Sequence, residues 1–180
     1  GVRTLLGGGD GSFRATRTAP IFNRFRSAAV AADLNRDGKE DVVVVVPGAG
    51  IEIWYGDGAG GFLGALGIPL NARIALHAVR VADLNHDGYP DIVGAGDDQI
   101  TVLLNNGGGG FPAPTYLPAT DPDGNSFGTF GTIALADINS DGHADVVTDL
   151  GGVWLGHGAG TFAAPALFDF GTSASGIRVR

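Results

Sequence analysis

Three near-copies of one nine-residue segment constrain the fold of this chain more than any other feature of its sequence. They read DLNRDGKED at 33–41, DLNHDGYPD at 83–91 and DINSDGHAD at 137–145, and all three fit D-x-N-x-D-G-x-x-D. They recur at intervals of 50 and 54 residues. A repeat length near 50 residues is typical of architectures in which each repeat is one supersecondary unit. We therefore expect similar units placed in series along the chain.

The residue types of this segment favour a bound hard cation. Oxygen-bearing side chains stand at alternating positions, a glycine allows a sharp turn, and an aspartate closes the segment. This pattern suits Ca²⁺ above all. An EF-hand loop does not fit, because position 12 would be Val44, Gly94 or Thr148 instead of a carboxylate. The sequence thus predicts three calcium sites.

A glycine-rich turn is the second repeated feature. An apolar run, a turn rich in Gly, Asn and Asp, and a phenylalanine occur together at 5–13, 54–62, 103–111 and 154–162. The phenylalanines are 49, 49 and 51 residues apart. The pattern is typical of a β-hairpin.

The two features together predict four short strands in each repeat. The first strand precedes the loop, the second follows it, the third comes before the glycine-rich turn, and the fourth begins at the phenylalanine. The predicted ranges are 28–32, 78–82 and 133–136 for the first strand, 41–46, 91–93 and 145–147 for the second, 51–55, 100–104 and 152–155 for the third, and starts at Phe13, Phe62, Phe111 and Phe162 for the fourth. No segment shows a convincing 3.6-residue apolar stripe.

Four antiparallel strands per repeat predict an all-β fold of β-propeller blades, with about 3.5 blades in the chain. We expect a single repeat array over 1–180. It would consist of a partial blade at 1–27, blades at 28–76, 77–126 and 127–172, and the start of the next blade at 173–180.

The combination of loop and turn resembles the FG-GAP/VCBS repeat family, whose best-known members are the propellers of integrin α-chains. The resemblance extends over essentially the whole chain. It implies that each loop joins the first and second strands of a blade, and that the side chains at positions 1, 3, 5 and 9 and the backbone carbonyl at position 7 bind the cation. The implied ligands are Asp33, Asn35, Asp37, Lys39 and Asp41, then Asp83, Asn85, Asp87, Tyr89 and Asp91, then Asp137, Asn139, Asp141, His143 and Asp145. The best-known propellers have seven blades, which implies that this chain needs flanking repeats or self-association.

Composition narrows the classes of partner. The formal net charge is −8, and nine of the 19 acidic residues are the first, fifth and ninth positions of the three loops, so three calcium ions would bring the charge to −2. The sequence has no basic stripe that would contact phosphates, so we expect no nucleic-acid partner. It has no cysteine, which excludes disulfides and thiolate sites and fits a secreted bacterial protein. No apolar run approaches about 18 residues, so we expect no membrane insertion.

Other candidate sites give weaker signals. The pattern Gly56-x-Gly58-x-x-Gly61 matches the dinucleotide fingerprint formally, but it lies in a turn that occurs four times and is not followed by a helix. The four histidines lack metalloprotease spacing, and we expect no enzymatic activity. Trp54 and Trp154 occupy equivalent third-strand positions, where packing between blades is favoured over an aromatic sugar platform.

The face opposite the loops is the expected ligand face. Its predicted members are Asp97, Asp98, Gln99, Asp149, Arg24, Arg26, Asn71 and Arg73. The longest connection, 118–130, is either a specific contact loop or a tolerated surface insertion.

Three functions are compatible with the sequence. The first is a calcium-stabilised extracellular or cell-surface module that acts as a binding scaffold in adhesion or assembly. The second is a carbohydrate-binding, lectin-type propeller. The third is a non-catalytic accessory segment of a secreted enzyme. The expected partner is a protein or a carbohydrate.

Overall fold

The computed structural model describes residues 2–19, 28–71, 75–97, 99–120, 124 and 126–167. In these residues the chain forms strands and turns, with no helix and hence no helix of the length and apolarity needed to cross a membrane. Four predicted ligand-face residues, Arg24, Arg26, Arg73 and Asp98, lie outside the described residues, as does the predicted start of the next blade at 173–180.

The described strands form one hairpin and three four-stranded sheets. The hairpin, here called the half-blade, pairs β1 (Val2–Gly7) with β2 (Phe13–Ala19). The first blade contains β3 (Ala29–Ala32), β4 (Asp41–Val46), β5 (Gly50–Gly56) and β6 (Phe62–Pro69). The second contains β7 (Leu76–Ala82), β8 (Asp91–Gly96), β9 (Gln99–Leu103) and β10 (Thr115–Pro118). The third contains β11 (Ile133–Ala136), β12 (Asp145–Thr148), β13 (Gly152–Trp154) and β14 (Ala166–Leu167).

Strands that follow one another in sequence pair antiparallel within every blade. Each blade is therefore a meander of four strands, which confirms the predicted all-β fold of propeller blades. The nine-residue loops join the first strand to the second, and the glycine-rich turns join the third strand to the fourth, as expected.

The predicted start of the fourth strand is correct in two repeats and wrong in two. Strands β2 and β6 begin at Phe13 and Phe62. Strands β10 and β14 begin four residues later than Phe111 and Phe162, at Thr115 and Ala166. Prolines precede both late starts, at 112, 114 and 165. Because proline has no backbone N–H, it cannot donate a hydrogen bond to the neighbouring strand.

Two apolar layers hold the blades together. One lies between the first and second blades and includes Val43, Ile53 and Ile92. The other lies between the second and third blades and includes Val93, Phe130 and Trp154. Strand β8 is buried along its whole length because successive residues, such as Ile92 and Val93, point into different layers. This explains why second strands read as continuous apolar runs instead of alternating patterns.

Candidate metal centres

The three nine-residue loops share one backbone conformation. The fourth residue has a positive φ in each, 59° at Arg36, 59° at His86 and 61° at Ser140. The glycine at the sixth position also has a positive φ, between 82° and 89°. Left-handed conformations are uncommon outside glycine. Their recurrence at the same two positions shows that all three segments curl in the same way.

The curl brings side-chain oxygens onto the amides of the same loop. In the first loop, Asp33 accepts hydrogen bonds from the amides of Asp37 at 3.1 Å and Gly38 at 2.8 Å. Asn35 Oδ1 accepts a second bond from Asp37 N at 3.0 Å. Asp37 Oδ1 in turn accepts from Lys39 N at 3.0 Å. The third loop repeats these four bonds at Asp137, Asn139 and Asp141.

The aspartate at the ninth position is fully buried and fastens the loop to the hairpin behind it. Asp41 Oδ2 accepts from Leu34 N at 3.0 Å, and Oδ1 accepts from Gly56 N at 2.9 Å. The same pair of bonds recurs at Asp91 with Leu84 N and Asn105 N, and at Asp145 with Ile138 N and Gly156 N. The ninth position is therefore a structural clamp in all three described blades.

Burial, neighbouring charge and hydrogen bonding shift the pKa of three carboxyl groups in these loops. Burial raises the pKa of Asp41 and Asp91, and the other carboxylates of the same loop add to the effect. The exposed Asp141 behaves in the opposite way, because a hydrogen bond from the Asn139 side chain lowers its pKa. The ion pairs among the described residues, Lys39 with Asp37 and His77 with Asp97, include neither Asp41 nor Asp91.

The donor set fits a hard cation. Among the described residues, no three histidine, aspartate or glutamate side chains converge as a ready-made metal cluster. The loop oxygens bond to amides instead, but a carboxylate or amide oxygen that accepts one such bond keeps a further lone pair. Asp83 gives the most direct indication, because its Oδ1 is buried and has no hydrogen-bond partner. A buried carboxylate oxygen without a partner is costly, and a cation would satisfy it.

One buried residue of this region is not identified by the motif. Asn105 is 3% exposed, and its amide donates to the carbonyls of Leu34 at 2.7 Å and Pro90 at 3.1 Å. Its Oδ1 accepts from the amides of Gly107 and Gly109. It therefore ties the turn of the second blade to the loop of the first. The sequence could have pointed to Asn105, because an asparagine stands there at the position where the other blades carry Gly56 and Gly156.

Loop residues also meet across the blades. His86 Nε2 of the second loop lies 3.0 Å from His143 Nδ1 of the third, so these two histidines contact each other. The Arg36 guanidinium lies 5.3 Å from the centre of the Tyr89 ring, which links the first loop to the second. The three candidate centres therefore form a row along one side of the described array.

The two tryptophans differ in burial. Trp154 is buried between the second and third blades and packs edge-on against Phe127 and Phe130, which confirms the predicted packing between blades. Trp54 is half-buried, packs edge-on against Phe62, and donates its indole N–H to Glu52 at 3.2 Å.

The connection at 118–130 is more deeply anchored than either sequence interpretation assumes. Ala119, Phe127 and Phe130 belong to the core between the second and third blades. Asp97, directly after β8, accepts a hydrogen bond from the Thr129 hydroxyl at 2.8 Å and lies 3.2 Å from His77 Nε2. The Thr129 hydrogen bond lowers the pKa of Asp97. The described part of this connection is thus integrated into the fold.

An apolar groove runs between the second and third blades. Its volume is about 340 Å³, and its lining includes Leu117, Pro118, Trp154, Phe162 and Pro165. It lies beside the buried aromatic cluster, so it is a candidate for ligand binding.

The chain matches a family model over most of the region just described. The model for the FG-GAP-like repeat matches residues 33–94 and 83–148, which contain all three loops. The chain is also 31% identical to integrin alpha-PS3 of Drosophila melanogaster over 143 residues, an alignment that covers 59% of this chain and 13% of the integrin.

Two solved structures share the fold. A lectin from Agrocybe aegerita, described for its recognition of non-reducing terminal N-acetylglucosamine, superposes with a TM-score of 0.67 at 24% identity, covering 96% of this chain and 48% of the lectin. BBS1N, solved in complex with ARL6DN, superposes with a TM-score of 0.51 at 13% identity, covering 81% of this chain and 44% of BBS1N. The chain spans about half the length of each, and the likeness supports the propeller fold alone.

Proposed function

Because this chain belongs to the FG-GAP-like repeat family, we propose that its three loops bind calcium and that it acts as a calcium-stabilised binding scaffold at the cell surface or outside the cell. The observation that carries the proposal is the buried, unpartnered Oδ1 of Asp83 within a loop conformation that occurs three times. Calcium would neutralise carboxylates that have no positive partner in the buried part of the loop. The integrin relative supports the extracellular setting and a role in adhesion.

In each loop the ligands would be the side chains at positions 1, 3, 5 and 9 and the backbone carbonyl at position 7. The chemistry that calcium supplies is charge neutralisation, which removes repulsion among three carboxylates in one short segment. Since the clamp at position 9 already shapes the loop, binding would add stability to a folded loop. At a calcium concentration about 100-fold above Kd, each independent site would add roughly 2.7 kcal/mol.

Calcium titration tests this proposal. We expect calorimetry to give three bound ions per chain, and we expect the melting temperature to be higher in calcium than in EDTA. The Asp87→Ala variant should bind two ions, because it removes the exposed fifth-position ligand of the second loop. A matched control is Asp57→Ala, which changes an aspartate in a β5–β6 turn and should still bind three. Equal melting temperatures in calcium and EDTA would contradict calcium binding.

A carbohydrate ligand is the second candidate function. The supporting observations are the propeller fold shared with the Agrocybe aegerita lectin and the apolar groove lined by Leu117, Phe162 and Pro165. Apolar and aromatic surfaces pack against the apolar faces of sugar rings, and proteins bind small ligands in such recesses. A glycan array probed with the calcium-loaded chain, including glycans that end in N-acetylglucosamine, tests this function. Absence of binding across the array would leave a protein ligand as the expected partner.

A further inference from the structure

The loops of neighbouring blades meet through one recurrent pair of positions. The side chain at the fourth position of one loop contacts the side chain at the seventh position of the next. Between the first and second blades the pair is Arg36 and Tyr89, with the guanidinium 5.3 Å from the ring centre. Between the second and third blades it is His86 and His143, whose Nε2 and Nδ1 atoms lie 3.0 Å apart. The geometry that pairs a cation with an aromatic ring at the first joint therefore brings two imidazoles together at the second.

Each of these two histidines is held in place by its own blade. His86 has a φ of 59°, the same left-handed conformation as Arg36, so its side chain leaves the loop in the same direction. His143 donates its backbone N–H to Asp141 Oδ1 at 2.9 Å. Its ring lies over Gly158 of the glycine-rich turn, where a Cβ would collide with the ring atoms. The two rings are thus positioned by contacts within the loops and the turn.

The spacing of the two rings fits a shared metal ion. Zinc binds an imidazole nitrogen at about 2.0–2.1 Å, so two imidazoles on one tetrahedral zinc ion have their nitrogens about 3.3 Å apart and their ring centres about 5.2 Å apart. The observed separations are 3.0 Å for the nitrogens and 5.2 Å for the ring centres, with the ring planes at 47°. The nitrogens would need to separate by only about 0.3 Å to bind one zinc ion together.

The chemistry of the pair suits a transition metal and not calcium. Neutral imidazole is a good ligand for zinc, copper and nickel, whereas calcium takes oxygen ligands. A hydrogen bond between the two rings requires one of the facing nitrogens to carry a proton. When both facing nitrogens bind a metal, His86 Nδ1 and His143 Nε2 carry the protons instead, so no proton has to be lost. Neither histidine forms an ion pair with a carboxylate of the described residues, so both rings can turn towards a metal.

We propose that His86 and His143 together bind a divalent transition-metal ion such as zinc, which joins the second blade to the third. No third histidine, aspartate or glutamate converges with them in the described part of the chain. Both rings lie at the surface, so water can complete the coordination. The site uses the imidazole of His143, whereas the proposed calcium site of the third loop uses its backbone carbonyl. The proposal therefore does not rest on calcium binding.

Three variants remove the metal ligands. His86→Ala and His143→Ala each remove one imidazole. The double variant His86→Arg with His143→Tyr removes both and installs the pair of side chains found at the first joint, where Arg36 contacts Tyr89. It keeps a contact between the blades and leaves no imidazole at the joint, so its loss of metal binding cannot be attributed to a lost contact between the loops.

The matched control is His77→Ala. His77 stands near the start of β7, at the end of the strand away from the second loop, and its Nε2 lies 3.2 Å from Asp97 Oδ1. This variant removes one histidine, as the single variants do, and leaves the pair between the loops intact. Thermal melts without zinc establish that all four variants are folded.

Zinc chloride titrated into the full chain in excess calcium tests the proposal, because calcium occupies any site made of loop carboxylates. Calorimetry should give one zinc ion per chain, and NMR of the imidazole nitrogens should show the signals of His86 and His143 moving while that of His77 stays. Zinc should also raise the melting temperature of the parent chain.

The variants identify the ligands. We expect His86→Ala, His143→Ala and the double variant each to bind zinc at least about tenfold more weakly than the parent chain, and His77→Ala to bind it equally well. Zinc should leave the melting temperature of the double variant unchanged. Imidazole signals of His86 and His143 that do not move, a ligand variant that binds zinc as tightly as the parent chain, or a loss of binding in His77→Ala would each overturn the proposal.

Discussion

Replacement of Asp91 by alanine separates the structural role of the loop from its proposed role in metal binding. Asp91 is fully buried and accepts hydrogen bonds from Leu84 N at 2.8 Å and Asn105 N at 2.7 Å. The variant leaves both amides buried without an acceptor. Asp87 in the same loop is exposed and accepts one backbone bond, from Tyr89 N. Asp87→Ala is therefore the matched control.

The magnitude follows from the two orphaned donors. A buried donor without a partner costs about 1–3 kcal/mol, so two cost roughly 2–6 kcal/mol. The carboxylate that is removed was itself disfavoured by burial, as its raised pKa shows, and this relief offsets part of the loss. We expect a net destabilisation of about 2–4 kcal/mol for Asp91→Ala and of about 1 kcal/mol or less for Asp87→Ala.

Urea denaturation of both variants in EDTA measures these values without any contribution from calcium. The same titrations in excess calcium should leave the difference in unfolding free energy between the two variants unchanged, because each variant also removes a proposed ligand of the second site. If Asp91→Ala in EDTA is as stable as Asp87→Ala, the clamp contributes little, and the argument from buried amides is wrong.

Three further predictions concern the same region. The Asn105→Ala variant should lose about 2–4 kcal/mol of unfolding free energy in EDTA, because it removes the hydrogen-bond partner of two backbone carbonyls and two backbone amides. A loss below about 1 kcal/mol, which is typical of a surface substitution, would contradict the role of Asn105 in joining the two blades. Tyr55→Phe should cost about 0.5–1.5 kcal/mol, because it removes the hydrogen bond to Gly109 O and keeps the ring, and equal stability of variant and parent in urea would show that this bond contributes nothing. Burial raises the pKa of Asp41 and Asp91 above the ordinary value of 3.8, so the stability that these two groups contribute is present below pH 3.8 and is lost as the pH rises through the raised pKa values. The melting temperature in EDTA should therefore fall as the pH rises from 3.8 towards neutrality, and it should fall less steeply in Asp91→Ala. A parent chain whose melting temperature climbs throughout this range would contradict the assignment.

The repeat unit was predictable because its signals are local. Each loop and each glycine-rich turn lies within about ten residues of sequence, and both recur at nearly constant intervals, so the order of strands follows from the pattern. The second strand of the first blade was predicted with its correct bounds, Asp41–Val46, because five consecutive valines follow the loop. The late fourth strands were missed because the phenylalanine was given more weight than the prolines beside it.

The features that the sequence did not predict depend on contacts between residues that are far apart along the chain. The second function of Asp41 was missed because its partner Gly56 lies 15 residues away, across a hairpin. The contact between His86 and His143 spans 57 residues and exists only once two blades are set side by side. The burial of Phe127 and Phe130 was missed for the same reason, since their neighbour Trp154 belongs to the following blade.

The buried aspartate clamp has a consequence for how such chains change their length. Both of its partners, for example Leu34 and Gly56 for Asp41, belong to the same blade, so the shape of a loop is encoded wholly within one repeat. Duplication or deletion of a repeat then carries a correctly shaped loop with it. Residues such as Tyr55 and Asn105, by contrast, bond to the adjacent blade and must match whichever neighbour the rearrangement provides. We therefore expect loop motifs to stay alike when repeats multiply, and differences between repeats to concentrate at the junctions.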